Sequence, residues 1–178
     1  MLLALSQQPE SFDAEGLHFR GWTADDVLTL VHLFDTDQMD RWTPLPHPFT
    51  EEVARSYVLT AAEARQRGIL QFAVCRDASG PALGELLIFS GDLRDEVELA
   101  YAVGVEHQRQ AIGTRAVKAG LGIATAVGAR RAVLSIAADN HASRATAVAA
   151  GFALTPAPQR ERRRKGYVLM LETWERHL

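Results

Sequence analysis

The residues with the clearest potential for chemistry occupy positions 101–116, in the sequence YAVGVEHQRQAIGTRA. The first five are aromatic, β-branched or small, which favours a buried strand, and residues 106–110 are all polar. From residue 111 onward, apolar residues recur at helical spacing. The free N–H groups and the positive dipole end of the first helical turn would then face the polar loop. This arrangement predicts a site for a phosphate or pyrophosphate, although a turn of this kind can also hold no ligand.

Two polar side chains outside the loop could add to such a site. Strand alternation places Glu98 on the same face as the small residues at positions 100, 102 and 104, which leave room for a ligand. A carboxylate there could accept a proton as a general base, or could simply face solvent. Asn140 begins a predicted short helix, where its amide could both donate to and accept from a ligand. It could equally serve only as the helix N-cap.

The elements that must position these groups follow from the hydrophobic pattern. Apolar runs bounded by turn residues predict seven strands, and helical periodicity with capping residues predicts about four helices. The strands span residues 17–20, 69–76, 82–89, 96–105, 132–137, 152–155 and 167–172, and the helices, with their caps, about 23–34, 50–67, 113–127 and 142–150. Residues 35–48, which include three alternate prolines, are predicted as a rigid connection, and residues 1–15 as a flexible arm.

The order of these elements predicts an α/β fold of the α+β type, with a mixed, mostly antiparallel seven-stranded sheet. Three strands joined by short turns form an antiparallel meander. A β-α-β crossover then makes strands four and five parallel. The chain length fits a single domain, residues 1–178.

Composition limits the classes of function. The net charge of −3 argues against a general nucleic-acid binder. Cys75 is the only cysteine, so no disulfide can form within the chain, and the histidines show no metal-ligand spacing, so no metal site is predicted. No segment has the pattern of a signal peptide or a membrane span. The predicted location is cytoplasmic, with no membrane partner.

Four stretches carry a resemblance to a known family. Gln108-Arg-Gln-Ala-Ile-Gly113 resembles the (Q/R)-x-x-G-x-(G/A) loop of the GCN5-related N-acetyltransferases (GNAT), which in that family holds the pyrophosphate of acetyl-coenzyme A. Residues 140–152 resemble the N-x-x-S…GF segment of the RimJ/RimL-like branch, the ribosomal-protein N-terminal acetyltransferases. Residues 98–101 resemble the E-I-G-Y strand of that branch, and residues 42–57 are also similar. Ala111 departs from the family's glycine, and we expect the loop to tolerate it if that residue is already helical.

The resemblance implies an acetyl-coenzyme A site built from three segments. Strands four and five would be splayed, and the backbone of Val103, Gly104 and Val105 would meet the pantetheine arm. The pyrophosphate would bind the residues Gln108, Arg109, Gln110, Ala111, Ile112, Gly113 and Thr114. Asn140 and Ser143 would lie beside the pantetheine, and Glu98 would be the general base. Ser143 could donate a hydrogen bond to the leaving thiolate, because Ala147 occupies the position of the tyrosine acid found in many relatives.

The implied function is transfer of an acetyl group from acetyl-coenzyme A to a primary amine, of a protein N-terminus or of a small molecule, by direct attack in a ternary complex. The alternative is a catalytically silent acyl-coenzyme A sensor of the same fold. The acceptor pocket would be built from residues 35–50 and 156–167, and the sequence does not identify the acceptor. The basic run at residues 160–165 is either a solvated hairpin tip or a contact for the adenosine phosphate or an acidic acceptor. The oligomeric state is open, a homodimer included.

Overall fold

The computed structural model describes residues 2–178, with side chains from residue 4 onward. Within this range the strands are β1 (Ser11–Ala14), β2 (Leu17–Arg20), β3 (Leu70–Cys75), β4 (Ala82–Ser90), β5 (Glu96–Val103), β6 (Arg131–Ala137), β7 (Ala153–Leu154), β8 (Arg160–Arg164) and β9 (Tyr167–His177). The helices are α1 (Leu2–Ser6), α2 (Val27–Phe34), α3 (Asp37–Trp42), α4 (Glu51–Gln66), α5 (Ile112–Ala126) and α6 (His141–Ala149). None of the helices in the described range is long and apolar enough to cross a membrane.

All of these strands belong to one sheet. Their order across it is β1-β2-β3-β4-β5-β6-β9-β7, and β8 pairs with β9. Every pairing is antiparallel except that of β5 with β6, which α5 connects. This confirms the predicted mixed sheet and its one parallel pair. The sheet has two strands more than predicted because β1 and β8 lie in segments predicted as an arm and a loop.

β5 and β6 separate soon after they meet. Their pairing covers three residue pairs and ends at Glu98 and Val133, while β5 continues to Val103 and β6 to Ala137. The five residues of β5 that follow Glu98 have no partner on the β6 side. At about 3.3 Å per residue, they border a wedge-shaped opening about 16 Å long. α5 begins soon after the end of β5 and α6 soon after the end of β6. The wedge therefore opens toward the N-terminal ends of two helices.

Helices pack on both faces of the sheet. On one face α5 lies close to β5, because Gly120 has no side chain: a Cβ there would be 3.1 Å from Cδ2 of Leu99. On the other face α2 and α4 enclose the rings of Phe34, Phe49 and Tyr57, which meet edge to face with centroids 5.4–6.1 Å apart. Burying an apolar side chain of this size contributes roughly 1.5–3 kcal/mol. These two layers hold the central strands that border the wedge.

The N-terminal segment differs from the predicted flexible arm. Residue 1 lies outside the described residues, but Leu5 is fully buried, and Phe12 of β1 stacks on Phe19 of β2 with ring centroids 4.7 Å apart. Arg65 of α4 donates a hydrogen bond to the Gln8 carbonyl. The segment is packed onto the domain because burial of these apolar side chains outweighs its weak local pattern.

Two segments predicted without helix or strand also contain regular structure. Thr36 caps α3, inside the predicted rigid connection, by accepting from the Met39 N–H at 3.2 Å. Residues 160–164 form β8, which pairs with β9 along its whole length. Backbone hydrogen bonds to β9 build this strand although its side chains show no apolar alternation.

Candidate active site

Residues 109–114 present a row of unpaired backbone N–H groups. None of these six groups donates to another residue in the described part of the chain, and the next amide, that of Arg115, donates to the Ala111 carbonyl at 3.0 Å. Arg109 and Ala111 have left-handed backbone conformations, with φ of 59° and 57°. Left-handed residues in such a turn aim successive N–H groups into one concavity, which favours an anion. The positive end of α5 adds to this preference.

The left-handed conformation of Ala111 corrects the expectation that this residue would be helical. A residue other than glycine adopts that conformation at a cost of about 1–2 kcal/mol. Its two neighbours hold it, because Ile112 is buried in the core and Gln110 accepts a hydrogen bond from Arg76 at 2.5 Å. The surrounding contacts therefore impose on alanine a turn that glycine would adopt without this cost.

Gly113 lies against the ring of Tyr101. A Cβ at position 113 would be 2.9 Å from Cε2 of that ring, so glycine lets the first turn of α5 approach β5 closely. The phenol oxygen of Tyr101 is buried and has no hydrogen-bond partner among the described residues. Burial raises the pKa of Tyr101, and the nearby hydroxyls of Ser143 and Thr146 act against that rise. Tyr101, which the sequence indicated only as a strand residue, thus lies between the starts of α5 and α6.

Asn140 caps α6. Its Oδ1 accepts from the Ser143 N–H at 3.1 Å, as the cap interpretation predicts. Within the described residues its side-chain NH₂ group has no acceptor, so this group is free to donate to a ligand. Ala147, at the position of the family's tyrosine acid, is fully buried. The binding roles of Asn140 and Ser143 stay predictions.

Glu98 lies at the apex of the wedge, as the last residue of β5 that pairs with β6. Burial raises the pKa of its carboxyl, while the nearby Ser135 hydroxyl and the charge of Arg160 act in the opposite direction. Arg160 also donates from Nη2 to the Ser135 Oγ at 3.1 Å. A half-buried carboxylate with a raised pKa is a stronger proton acceptor than an exposed one, which suits a general base.

Ser135 and Arg160 were not predicted as site residues. Ser135 is the one polar side chain in the interior of β6, whose sequence is RAVLSIA. A lone serine in an apolar strand is a signal that could have identified it. Arg160 carried no comparable signal, because its position beside Ser135 depends on the pairing of β8 with β9.

The three residues predicted to meet the pantetheine differ in what they offer. Val103 ends β5 at the open end of the wedge, and Val105 lies in the following turn with its side chain 54% exposed. Both backbone groups of Gly104 are engaged, the N–H with the Leu83 carbonyl and the carbonyl with the His107 N–H, each at 2.9 Å. Among the described residues, the Val103 and Val105 carbonyls accept only from Gln108, at 3.5 and 3.4 Å, so the backbone of these two residues is less fully engaged than that of Gly104.

The side chains of the loop also differ in their contacts and their exposure. Gln108 donates to the Gln38 Oε1 at 2.9 Å and so ties the loop to α3. The Arg109 side chain is exposed, and that of Thr114 is half-buried in the first turn of α5. The loop is thus held by its glutamines, while its backbone N–H groups stay open.

β4 carries a buried carboxyl that the sequence did not predict. Glu85 is 3% exposed and accepts from Trp22 Nε1 at 2.8 Å and from Tyr57 Oη at 2.7 Å. Burial raises the pKa of Glu85 from 4.5 to about 7, although both hydrogen bonds act against the rise. No cation in the described residues forms an ion pair with this carboxyl. Folding therefore shifts this carboxyl toward its protonated form, and both forms are populated near pH 7.

Solved structures with the same fold include acetyltransferases bound to coenzyme A. RimL, the ribosomal L7/L12 alpha-N-protein acetyltransferase in complex with coenzyme A, is 21% identical, with 91% of this chain and 94% of that chain covered and a TM-score of 0.78. RimJ of Mycobacterium smegmatis, in complex with a coenzyme A disulfide, is 18% identical, with 94% and 85% covered and a TM-score of 0.79. MccE, the microcin C7 self-immunity acetyltransferase in complex with acetyl-coenzyme A and AMP, is 16% identical, with 98% and 99% covered and a TM-score of 0.83.

At these identities the likeness to the solved structures shows a common fold. No curated protein matches the chain. The family model of the acetyltransferase (GNAT) domain matches residues 17–153, which is most of the chain and includes the loop, the wedge and α6. The resemblance in the sequence is thereby confirmed, and the chain belongs to the GNAT acetyltransferase family.

Proposed function

We propose that this GNAT protein moves the acetyl group of acetyl-coenzyme A to a primary amine. The observation that carries the proposal is the row of unpaired N–H groups at residues 109–114, at the start of α5 and near the open end of the wedge. A pyrophosphate supplies the negative charge that such a concavity favours. The RimL, RimJ and MccE structures contain coenzyme A or acetyl-coenzyme A, which supports the same ligand for this chain.

The arrangement of free groups fits an extended coenzyme A. The pyrophosphate binds the N–H groups of residues 109–114, with the Thr114 hydroxyl as a further donor. The pantetheine arm follows the wedge toward Glu98, past the backbone of Val103 and the free side-chain NH₂ group of Asn140. The wedge, about 16 Å long by strand geometry, gives the arm an extended path along the edge of β5.

Glu98 serves as the base. It accepts a proton from the acceptor ammonium, directly or through water, and the free amine forms a C–N bond with the thioester carbonyl carbon. The C–S bond breaks and its electron pair stays on sulfur. The Ser143 hydroxyl donates a hydrogen bond to that sulfur. The attacking nitrogen, which becomes positively charged when the C–N bond forms, loses a second proton as the amide forms, and this proton neutralises the thiolate directly or through water. Burial keeps the neighbouring Tyr101 phenol protonated.

The acceptor binds between the two segments predicted to form its pocket. Arg164 of β8 donates to the Pro44 carbonyl, and Lys165 forms an ion pair with Asp40 at 2.6 Å. These contacts bring the two segments together on the side of the sheet where Arg160 approaches Ser135. A protein N-terminal amine is the acceptor class favoured by the likeness to RimL, and small primary amines are the second class.

Release of free coenzyme A, measured with a thiol reagent, tests the proposal. Short peptides with free N-termini and small primary amines form the panel, and peptides with blocked N-termini are the negative control. We expect release with at least one amine. Glu98→Gln should lower kcat by about 10²–10⁴-fold without changing the calorimetric affinity for acetyl-coenzyme A.

The matched control is Glu161→Gln, which removes a carboxylate of β8 that pairs only with Arg163 in the described residues. This variant should keep the wild-type rate. Binding of acetyl-coenzyme A with no transfer to any amine would support the silent sensor instead. Wild-type kcat in Glu98→Gln on the true acceptor, near pH 7, would remove Glu98 from the mechanism.

A further inference from the structure

β8 places three arginines on one face. Strand alternation puts Arg160, Arg162 and Arg164 on the same side of the strand. Their partners across the strand pair are Leu171, Leu169 and Tyr167 of β9. Leu169 and Leu171 pack with Trp42, the last residue of α3, on this face of the sheet. The arginines therefore line the side on which Glu98 and Ser135 lie.

The basic residues of this hairpin differ in whether a carboxylate forms an ion pair with them. Arg160 pairs with Asp92 at 3.3 Å, Arg163 with Glu161 at 2.5 Å and Lys165 with Asp40 at 2.6 Å. In the described part of the chain, Arg162 and Arg164 have no carboxylate partner. Arg164 donates to the Pro44 carbonyl, and Arg162 makes only a 3.5 Å contact from Nη2 to the Trp42 carbonyl.

Arg162 is the arginine whose surroundings least resemble a solvated hairpin tip. Its side chain is half-buried, and its Nε is buried with no hydrogen-bond partner among the described residues. Burial lowers the pKa of Arg162, as does the charge of Arg164, and only the Glu98 carboxylate acts in the opposite direction. A guanidinium has five N–H donors in a planar fork, and here nearly all of them lack an acceptor.

We infer that Arg162, assisted by Arg164, binds an oxyanion of the acceptor, so that the acceptor is an amine that also carries a carboxylate or a phosphate close to its amino group. The planar guanidinium suits bidentate contact with either group. The adenosine phosphate is a less suitable occupant, because the contacts of the hairpin go to residues 40–45 and to the neighbourhood of Glu98 rather than to the 109–114 loop. The inference rests on the proposed function and specifies its substrate class.

Pairs of acceptors that differ only in the anion test this inference. The pairs are Ser-Ala amide with Ser-Asp amide, Ser-Ala amide with Ser-phosphoserine amide, and propylamine with 3-aminopropionate. Coenzyme A release from the full-length protein gives kcat/KM for each member. We expect at least a tenfold preference for the anionic member of at least one pair, and the Asp and phosphoserine arms distinguish a carboxylate from a phosphate.

Arg162→Met should remove that preference by lowering kcat/KM for the anionic member about tenfold more than for the neutral member of the same pair. The matched control is Arg163→Met on the opposite face of β8, which should keep the preference. Arg162→Lys keeps the positive charge without the planar guanidinium and should retain only part of the preference for the anionic member. If Arg162→Met has a lowered Tm, Arg164→Gln and Arg162→Lys supply the same comparison.

Equal use of both members of every pair by wild type would overturn the inference while leaving the proposed function in place. An equal loss for neutral and anionic acceptors in Arg162→Met would also overturn it, since that result indicates a structural role. If no amine releases coenzyme A, the proposed function fails, and calorimetry of N-acetyl-Ser-Asp amide and N-acetyl-Ser-phosphoserine amide with coenzyme A-loaded protein decides. Peptide binding by wild type that is lost in Arg162→Met supports the oxyanion site. Equal binding by wild type and Arg162→Met, or no binding by wild type, overturns it.

Discussion

Replacing Ala111 by aspartate and, in a parallel variant, by asparagine separates charge from shape at the proposed pyrophosphate site. Both side chains tolerate the left-handed conformation that residue 111 adopts, with φ of 57°. The two variants therefore keep the same turn and differ by one negative charge. Gly113→Asp is less suitable for this purpose, because its Cβ would meet the Tyr101 ring at 2.9 Å.

The size of the expected effect follows from the position of residue 111. With a separation of about 6 Å and an effective dielectric constant of about 20, two unit charges repel by about 2.8 kcal/mol. Ala111 is exposed, so solvent and salt reduce this by roughly half. The remaining repulsion of about 1.4 kcal/mol corresponds to a tenfold loss of affinity.

Isothermal titration calorimetry with coenzyme A measures this effect. We expect Ala111→Asn to bind like wild type and Ala111→Asp to bind about tenfold more weakly, with the gap narrowing as salt increases. Thermal unfolding should show both variants at least as stable as wild type, because asparagine and aspartate adopt the left-handed conformation at a lower free-energy cost than alanine. Equal affinities of the two variants at low salt would refute the assignment of the pyrophosphate to this loop.

Two further substitutions test other parts of the structure. Because folding raises the pKa of Glu85, its ionisation in the folded state opposes folding, so the free energy of unfolding should fall by about 3 kcal/mol as pH rises from about 4.5 to about 7. In chemical denaturation, the free energy of unfolding of Glu85→Gln relative to wild type should therefore be higher at pH 8 than at pH 5. The same difference between variant and wild type at both pH values would contradict the buried-acid interpretation. Asn140→Asp should keep the α6 cap and the Tm but weaken acetyl-coenzyme A binding, whereas Asn140→Ala should cost about 1 kcal/mol of stability. Full affinity in Asn140→Asp would leave this residue with the capping role alone.

Local signals in the sequence were sufficient for most of the elements. Thr50 and Asn140 cap the helices they were predicted to cap, and the strands of the central meander and the start of α5 fall close to their predicted positions. Such signals depend on residues within about four positions of each other, as in a cap or a helical stripe. The sequence could therefore place the N–H groups of the loop at the start of a helix, and Glu98 on a strand.

Contacts between distant residues decided the rest. Glu85 reads as an ordinary polar residue in its strand, and its burial depends on Trp22 and Tyr57, which lie 63 and 28 positions away. The left-handed turn at Ala111 is held by packing on both sides of it, against the intrinsic preference of alanine. Arg162 reaches the side of the sheet that carries Glu98 and Ser135 only because a run of charged residues pairs with β9. In each case the tertiary structure supplies an environment that no local pattern of residue types encodes.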